Sequence, residues 1–159
     1  MTIARIKQHV ESLYIDRYGI TSPTEIDIEA IAFDRSATVL QGQLTGCEAM
    51  IIGAGDKATI TVNEKSSPQR QRFSIGHELG HWFKDRGKVG NLCSKHDMDS
   101  PSGAGKSREV IANEYASEPL LPSYPRKPVL QVRPLDQSLL SEVVSAFDVS
   151  FMAALRRVI

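Results

Sequence analysis

Two histidines four residues apart place the narrowest limit on how this chain can fold. His77 and His81 enclose Glu78, Leu79 and Gly80 in an HExxH pattern. Residues at this spacing lie on one face of an α-helix, about one turn apart. Two imidazoles can therefore reach one metal ion if the segment is helical. The neighbouring carboxylate of Glu78 then projects beside the ion, where it can accept a proton from water.

Two histidines leave such a metal site incomplete. Imidazole nitrogen suits zinc better than calcium or magnesium, which prefer oxygen, and a catalytic zinc site has three protein ligands. A third ligand is therefore expected downstream, and Glu109 is the best candidate because it lies on a predicted helix. Asn113, one turn later on the same face, could orient a histidine ligand through its other ring nitrogen. The other downstream candidates are Cys93, His96, Asp97, Asp99 and Glu114.

The helix that carries the HExxH pattern has a second, apolar side. Ile75, Leu79, Trp82 and Phe83 make this side, and their spacing predicts packing against the core rather than a substrate pocket. Glycines within the same helix, Gly76 and Gly80, indicate that another element approaches its backbone. The alternative to a metal site is a solvated helix face that happens to carry two histidines.

Length and charge predict one domain over residues 1–159. The 159 residues are 41% apolar, which is enough for a single core. The 19 basic and 19 acidic residues balance, so no charge excess points to nucleic acid. No apolar run of the length of a signal sequence or a membrane helix occurs, so a cytoplasmic protein is expected. The two cysteines, Cys47 and Cys93, are then expected to be reduced thiols.

Hydrophobic periodicity predicts an α+β fold with a small three-stranded antiparallel sheet. Apolar spacing and capping residues predict helices over residues 3–18, 23–33, about 67–85, about 107–117, 135–147 and 150–158. Short β-branched runs predict strands over residues 37–44, 48–52 and 58–62. Residues 86–106 are predicted to form a long loop, and its length and glycines suggest the hypothesis of a lid, which the sequence leaves open. Pro119 should end or kink the helix that carries Glu109, and an extended path should follow over residues 120–134.

Two longer runs of sequence resemble a known family. They are FSIGHELGHW at residues 73–82 and EVIANEYASEPLLP at residues 109–122. They are similar to the motifs of the ImmA/IrrE family of metallopeptidases, which carry the DUF955 domain. The resemblance extends over most of the chain, although residues 117–119 depart from the family pattern.

The resemblance implies a zincin-like fold and a zinc endopeptidase. His77, His81 and Glu109 would be the ligands and Glu78 the base. Family members are encoded by bacteria, phages and mobile elements, and they cleave Xre-type helix-turn-helix repressors to relieve transcriptional repression after stress. The expected partner is such a repressor, with no direct contact to nucleic acid or membrane.

Two other classes of function remain open at the level of sequence. One is a regulatory or toxin–antitoxin interaction module that keeps the zinc fold with little proteolysis, although the intact Glu78 favours an enzyme. The other is a DNA-binding regulator that uses the C-terminal helices of residues 135–159, against which the neutral charge argues. A second donor to the oxyanion is also undetermined, with Tyr115, Tyr124, His96 and Arg108 as candidates.

Overall fold

The computed structural model describes residues 3–85, 91–94, 113, 115, 117–122 and 136–158. Helices and a β-sheet both occur in these ranges, which confirms the α+β class. The helices are α1 (Ile3–Ser12), α2 (Ile28–Asp34), α3 (Pro68–Asp85), α4 (Gln137–Phe147) and α5 (Phe151–Val158). The strands are β1 (Ala37–Gly42), β2 (Ala49–Ala54), β3 (Lys57–Asn63) and β4 (Asn91–Ser94). Residues 113, 115 and 117–120 are also helical.

The N-terminal helices differ in detail from the sequence prediction. After α1 the chain continues as a π-helical segment over Leu13–Arg17, and Gly19 follows in the left-handed region at φ +65°. The single helix predicted over residues 23–33 is instead a 3₁₀ turn, Pro23–Glu25, followed by α2. Asp27 makes this break, because its carboxylate accepts hydrogen bonds from the backbone amides of Glu29 and Ala30 and caps α2.

The predicted antiparallel meander is wrong in its strand order. The sheet has the order β1-β3-β2-β4, and β1 pairs with β3 in parallel rather than with β2. The β2–β3 hairpin is antiparallel as expected, with Gly55 at φ +61° in its two-residue turn. The prediction assumed that consecutive strands are neighbours, which is common but not required. β3 lies between β1 and β2, and its alternate residues Ala58, Ile60 and Val62 are buried.

A fourth strand lies within the segment predicted to be a loop. β4 pairs antiparallel with β2, so that Cys93 is opposite Met50. Cys47, three residues before Met50, is disulfide-bonded, and the sequence holds one other cysteine, Cys93. The expectation of reduced thiols is therefore wrong. It depended on the separation of the two cysteines in sequence, which sheet pairing removes.

The core lies between the sheet and α3. α3 packs against β2 and β3, and it also contacts α2. Its Ile75, Leu79 and Trp82 are buried in the same apolar cluster as Ile51 and Ile60 of the sheet. The core-facing side predicted for this helix is confirmed for these three residues, while Phe83 is partly buried against the cluster. In the parts of the chain that the structure describes, no helix combines the length and apolar character needed to cross a membrane.

The C-terminal helices follow the predicted pattern closely. Asp136 caps α4 by accepting a hydrogen bond from the amide of Leu139. Asp148 adopts a left-handed conformation at φ +49° and ends α4. Ser150 caps α5, since its hydroxyl accepts from the amide of Ala153. That these helices belong to one domain over residues 1–159 stays a prediction.

The helix predicted over about 107–117 is helical at the described residues 113, 115 and 117, and it extends further than expected. Residues 117–120 are helical, and the amide of Leu121 donates to the carbonyl of Ser117 at 2.9 Å. The helix ends at Leu120, one residue past Pro119, whose missing amide and ring both disfavour its continuation. The rest of the predicted lid, residues 86–90 and 95–106, and the path over residues 123–134 lie outside the described residues.

Candidate metal centre

Helix α3 carries the HExxH residues through the interior. Pro68 occupies its first position, and Ser67 caps it by accepting a hydrogen bond from the amide of Arg70. Residues 74–82 are all buried, including Gly76 and Gly80. The alternative of a solvated helix face with two histidines is therefore excluded.

The imidazoles of His77 and His81 contact each other through the Nε2 atom of each ring. Their Nε2 atoms are 3.0 Å apart, and their rings are inclined at 75°. Each residue is 6% exposed. Two nitrogens bound to one tetrahedral zinc ion at about 2.0–2.1 Å would be separated by roughly 3.3 Å. The two Nε2 atoms share a hydrogen bond, and their spacing is close to that of two nitrogens on one zinc ion.

Asn113 contacts the other ring nitrogen of His77. Its Oδ1 lies 2.9 Å from Nδ1 of His77, across 36 residues of sequence. An amide oxygen can only accept, so His77 carries its hydrogen on Nδ1 and its lone pair on Nε2. A lone pair on Nε2 is what a metal ligand requires. The structure thus brings together the two residues for which the sequence predicts a ligand and an orienting role.

Glu78 is fully buried, with an exposed fraction of 0%. Its position between the two histidines in sequence puts its side chain about 100° around the helix from His77. Helical spacing therefore predicts that the carboxylate lies to one side of the two imidazoles. This placement is the one expected for a base rather than a ligand.

The third ligand predicted from the sequence, Glu109, lies outside the described residues. So do the side chains of Cys93, His96, Asp97, Asp99 and Glu114. Among the residues that the structure does describe, no group of three His, Cys, Asp or Glu side chains could hold a metal ion. The described part of the site consists of two imidazole donors and one buried carboxylate, and the roles of all these residues stay predictions.

The donor set nevertheless has the chemistry of a zinc site. Two neutral imidazoles with convergent Nε2 atoms suit zinc and other first-row transition metals rather than calcium or magnesium. The orienting amide of Asn113 is the kind of outer contact that metal-bound histidines make. A metal would be held by His77 and His81, together with a ligand from outside the described residues.

The opposite side of α3 is anchored by contacts that sequence reasoning missed. The indole Nε1 of Trp82 donates to the backbone carbonyl of Arg35 at 2.9 Å, and the Arg35 guanidinium lies 5.6 Å from the ring centroid of Phe83. Tyr115 packs 5.2 Å from Phe83, between ring centroids. Nothing in the local pattern around Arg35 pointed to these contacts, because its partners are 47 and 48 residues away.

Tyr115 belongs to this packed cluster and not to the histidine pair. Burial raises the pKa of its phenol well above the ordinary value, so the group stays protonated. His9 lies against both Phe83 and Tyr115, and burial followed by the charge of Arg35 lowers its pKa. The packing interpretation of Tyr115 therefore holds, whereas Tyr124, His96 and Arg108 lie outside the described residues.

Comparison with known proteins shows which family of proteins the chain belongs to. The model of the IrrE N-terminal-like domain, peptidase family M78, matches residues 25–158. The chain belongs to the IrrE N-terminal-like family. This match confirms the resemblance expected from the two motifs, and it assigns a metallopeptidase-type domain to the chain. Metallopeptidases use a metal cofactor, which is typically zinc.

Two proteins that resemble this IrrE N-terminal-like chain are longer than it. It is 33% identical over 85 residues to the phage-like element PBSX protein XkdA of Bacillus subtilis (strain 168), covering 54% of this chain and 41% of XkdA. A solved structure of a Mycobacterium tuberculosis transcriptional regulator shares the fold, with a TM-score of 0.63 and 17% identity. That match covers 97% of this chain and 46% of the regulator. The chain thus spans less than half the length of each relative.

Proposed function

We propose that this chain is a zinc-dependent endopeptidase that cleaves an Xre-type helix-turn-helix repressor and so relieves transcriptional repression. The observation that carries the proposal is the pair of Nε2 atoms 3.0 Å apart beside the buried Glu78. His77 and His81 would hold the zinc, and the sequence predicts Glu109 as the third ligand. When bound, zinc supplies Lewis acidity that acidifies water and polarises a carbonyl group.

Residues of the protein carry out the proton transfers and orient the metal ligand. Glu78 takes a proton from the attacking water while the oxygen of that water forms a bond to the carbon of the peptide carbonyl. The C–N bond then breaks, and Glu78 delivers the same proton to the leaving amine. Asn113 keeps the His77 ring in the tautomer that presents Nε2. Burial of the three motif residues excludes bulk water, which strengthens these interactions.

The choice of substrate class draws on the relatives as well as the site. One relative is a protein of a phage-like element and the structural relative is a transcriptional regulator. Both descriptions fit a peptidase that acts on transcription in a mobile element. The substrate is therefore sought among Xre-type repressors, beginning with one encoded beside this gene.

The test compares the wild-type chain with Glu78→Gln and with Glu64→Gln, which changes an exposed glutamate just before α3. Each protein is incubated with the purified repressor, with and without a chelator, and the products are read by intact mass spectrometry. We expect the wild type and Glu64→Gln to cleave the repressor only without chelator. Glu78→Gln should retain one zinc per chain and lose at least about 100-fold in rate, since it lacks the base.

Two results would contradict the proposal. Cleavage by Glu78→Gln at the wild-type rate would remove the assigned base. Zinc-loaded wild type that binds the repressor without cutting it would instead support the interaction module as the function.

A further inference from the structure

Tyr14 makes a long-range contact that the proposed mechanism does not use. Its side chain has an exposed fraction of 0%, and its hydroxyl donates to the backbone carbonyl of Pro119 at 2.6 Å. The two residues are 105 positions apart in sequence. The bond joins the N-terminal helical layer to the helix that contains Asn113.

The π-helical segment fixes Tyr14 from the backbone side. The amide of Tyr18 donates to the carbonyl of Leu13, five residues earlier, and the amide of Ile20 donates to the carbonyl of Tyr14 at 2.8 Å. A π-turn inserts one residue into a helix and rotates the side chains that follow it. Tyr14 is therefore held at its backbone, through its carbonyl, and at the end of its side chain, through its hydroxyl.

Pro119, which accepts the hydrogen bond from Tyr14, interrupts the hydrogen bonding of its own helix. Proline has no amide hydrogen, so the carbonyl of Tyr115, four residues earlier, lacks its usual helical donor at this point. Carbonyls in the last turn of a helix also lack partners within the helix. A hydrogen bond from Tyr14 to the Pro119 carbonyl thus restrains the helix end where its internal hydrogen bonding is weakest.

The same helix reaches the metal centre one and a half turns earlier. Asn113 is six residues before Pro119, about 9 Å along a helix axis, and the described residues between them are helical. Its Oδ1 contacts Nδ1 of His77 at 2.9 Å. The helix is therefore held at two points, on α3 through Asn113 and on the N-terminal layer through Tyr14.

We propose that Tyr14 is a positioning residue for the metal centre, acting through the helix that carries Asn113. The inference rests on the proposed function for its metal, but the geometry it describes also exists in the metal-free chain. Without the Tyr14 hydroxyl, the helix end shifts and the Asn113 contact to His77 weakens. The His77 ring then samples the tautomer that carries its hydrogen on Nε2, and this hydrogen must move to Nδ1 before Nε2 can bind a metal.

The test uses Tyr14→Phe, with Tyr18→Phe as the matched control in the same segment. Tyr18 also donates a hydrogen bond from its hydroxyl, but to the side chain of Asp34 in α2 rather than to the carbonyl of Pro119. The tautomer of His77 is read by ¹⁵N NMR of the ring in the metal-free full-length chain. Affinity for Co²⁺ is read from its visible absorption. We expect Tyr14→Phe to lower the Nδ1–H population and to weaken Co²⁺ binding about threefold to tenfold, while Tyr18→Phe changes neither.

A double-mutant cycle separates positioning from a general loss of stability. If Tyr14 acts through Asn113, Tyr14→Phe should have no further effect on Co²⁺ affinity in an Asn113→Ala background. Equal His77 tautomer populations in wild type and Tyr14→Phe would overturn the proposal. Failure of the wild type to bind Co²⁺ would count against the proposed function instead, and the tautomer measurement would still decide the role of Tyr14.

Hydrogen exchange in the wild type covers the case in which Tyr14→Phe does not fold. The amides of Ile20, bonded to the Tyr14 carbonyl, and Leu121, bonded to the Ser117 carbonyl, should then exchange through one shared opening. Independent exchange of the two amides would overturn the proposal as well.

Discussion

At the scale of single residues, the candidate site depends on which nitrogen of each ring faces inward. Spacing alone places His77 and His81 on one face, but a histidine can present either nitrogen to a metal. The contact from Asn113 to Nδ1 of His77 resolves this choice in favour of Nε2. Asn113 is therefore the residue whose replacement tests the geometry most directly.

Asn113→Ala should weaken metal binding about 10- to 100-fold, because it removes the acceptor that fixes the His77 tautomer. Asn113→Asp, which keeps an acceptor oxygen, should retain most of the affinity. Competition with a chromophoric chelator measures both constants. Gln41→Ala serves as the control, since it removes a side-chain amide whose hydrogen bond to Gln71 is exposed. Equal affinities for Asn113→Ala and Gln41→Ala would refute the orienting role.

At the scale of elements, capping decides where a helix begins when periodicity leaves it open. The apolar pattern over residues 23–33 is compatible with one helix, and the sequence prediction treated it so. Asp27 divides it, because its carboxylate competes for the amides of Glu29 and Ala30. The position of α2 matters beyond this region, since Arg35 at its end accepts the hydrogen bond from Trp82 of α3.

Asp27→Ala should lower the free energy of unfolding by about 1 kcal/mol, the typical cost of losing an N-cap. Urea denaturation followed by circular dichroism measures the change. Glu11→Ala, which removes an exposed carboxylate from α1, provides the comparison and should alter stability by less than about 0.5 kcal/mol. If both variants unfold at the same urea concentration, the cap contributes nothing.

At the scale of the whole molecule, the order of the strands determines which distant segments meet. β3 lies between β1 and β2, and β2 in turn carries β4 on its other side. This arrangement brings residues 91–94, which follow α3, next to residues 49–52. Cys47, three residues before Met50, is disulfide-bonded at this edge of the sheet.

Reduction of this disulfide should destabilise the chain. The loop it would close runs from residue 47 to residue 93, for which chain entropy predicts a loss of up to about 4 kcal/mol. The melting temperature is measured with and without a phosphine reductant. Cys47→Ser should melt at the temperature of the reduced wild type and should not respond to reductant. An unchanged melting temperature of the wild type after complete reduction would contradict this expectation.

Features that depend on short separations along the chain could be predicted from the amino-acid sequence. The HExxH helix, the β2–β3 hairpin and the start of the C-terminal helices follow from local spacing, and the sequence motifs also indicated the family. Periodicity and capping act within a few residues, so a linear pattern records them.

Contacts between distant groups depend on how the helices and the sheet pack together. The parallel pairing of β1 with β3 and the contact of Tyr14 with Pro119 join residues far apart in sequence, and the sequence prediction contained neither. Many such pairings satisfy the same local pattern. The packing of all the elements together selects among them, because only one arrangement buries the apolar face of the sheet and both sides of α3 at once.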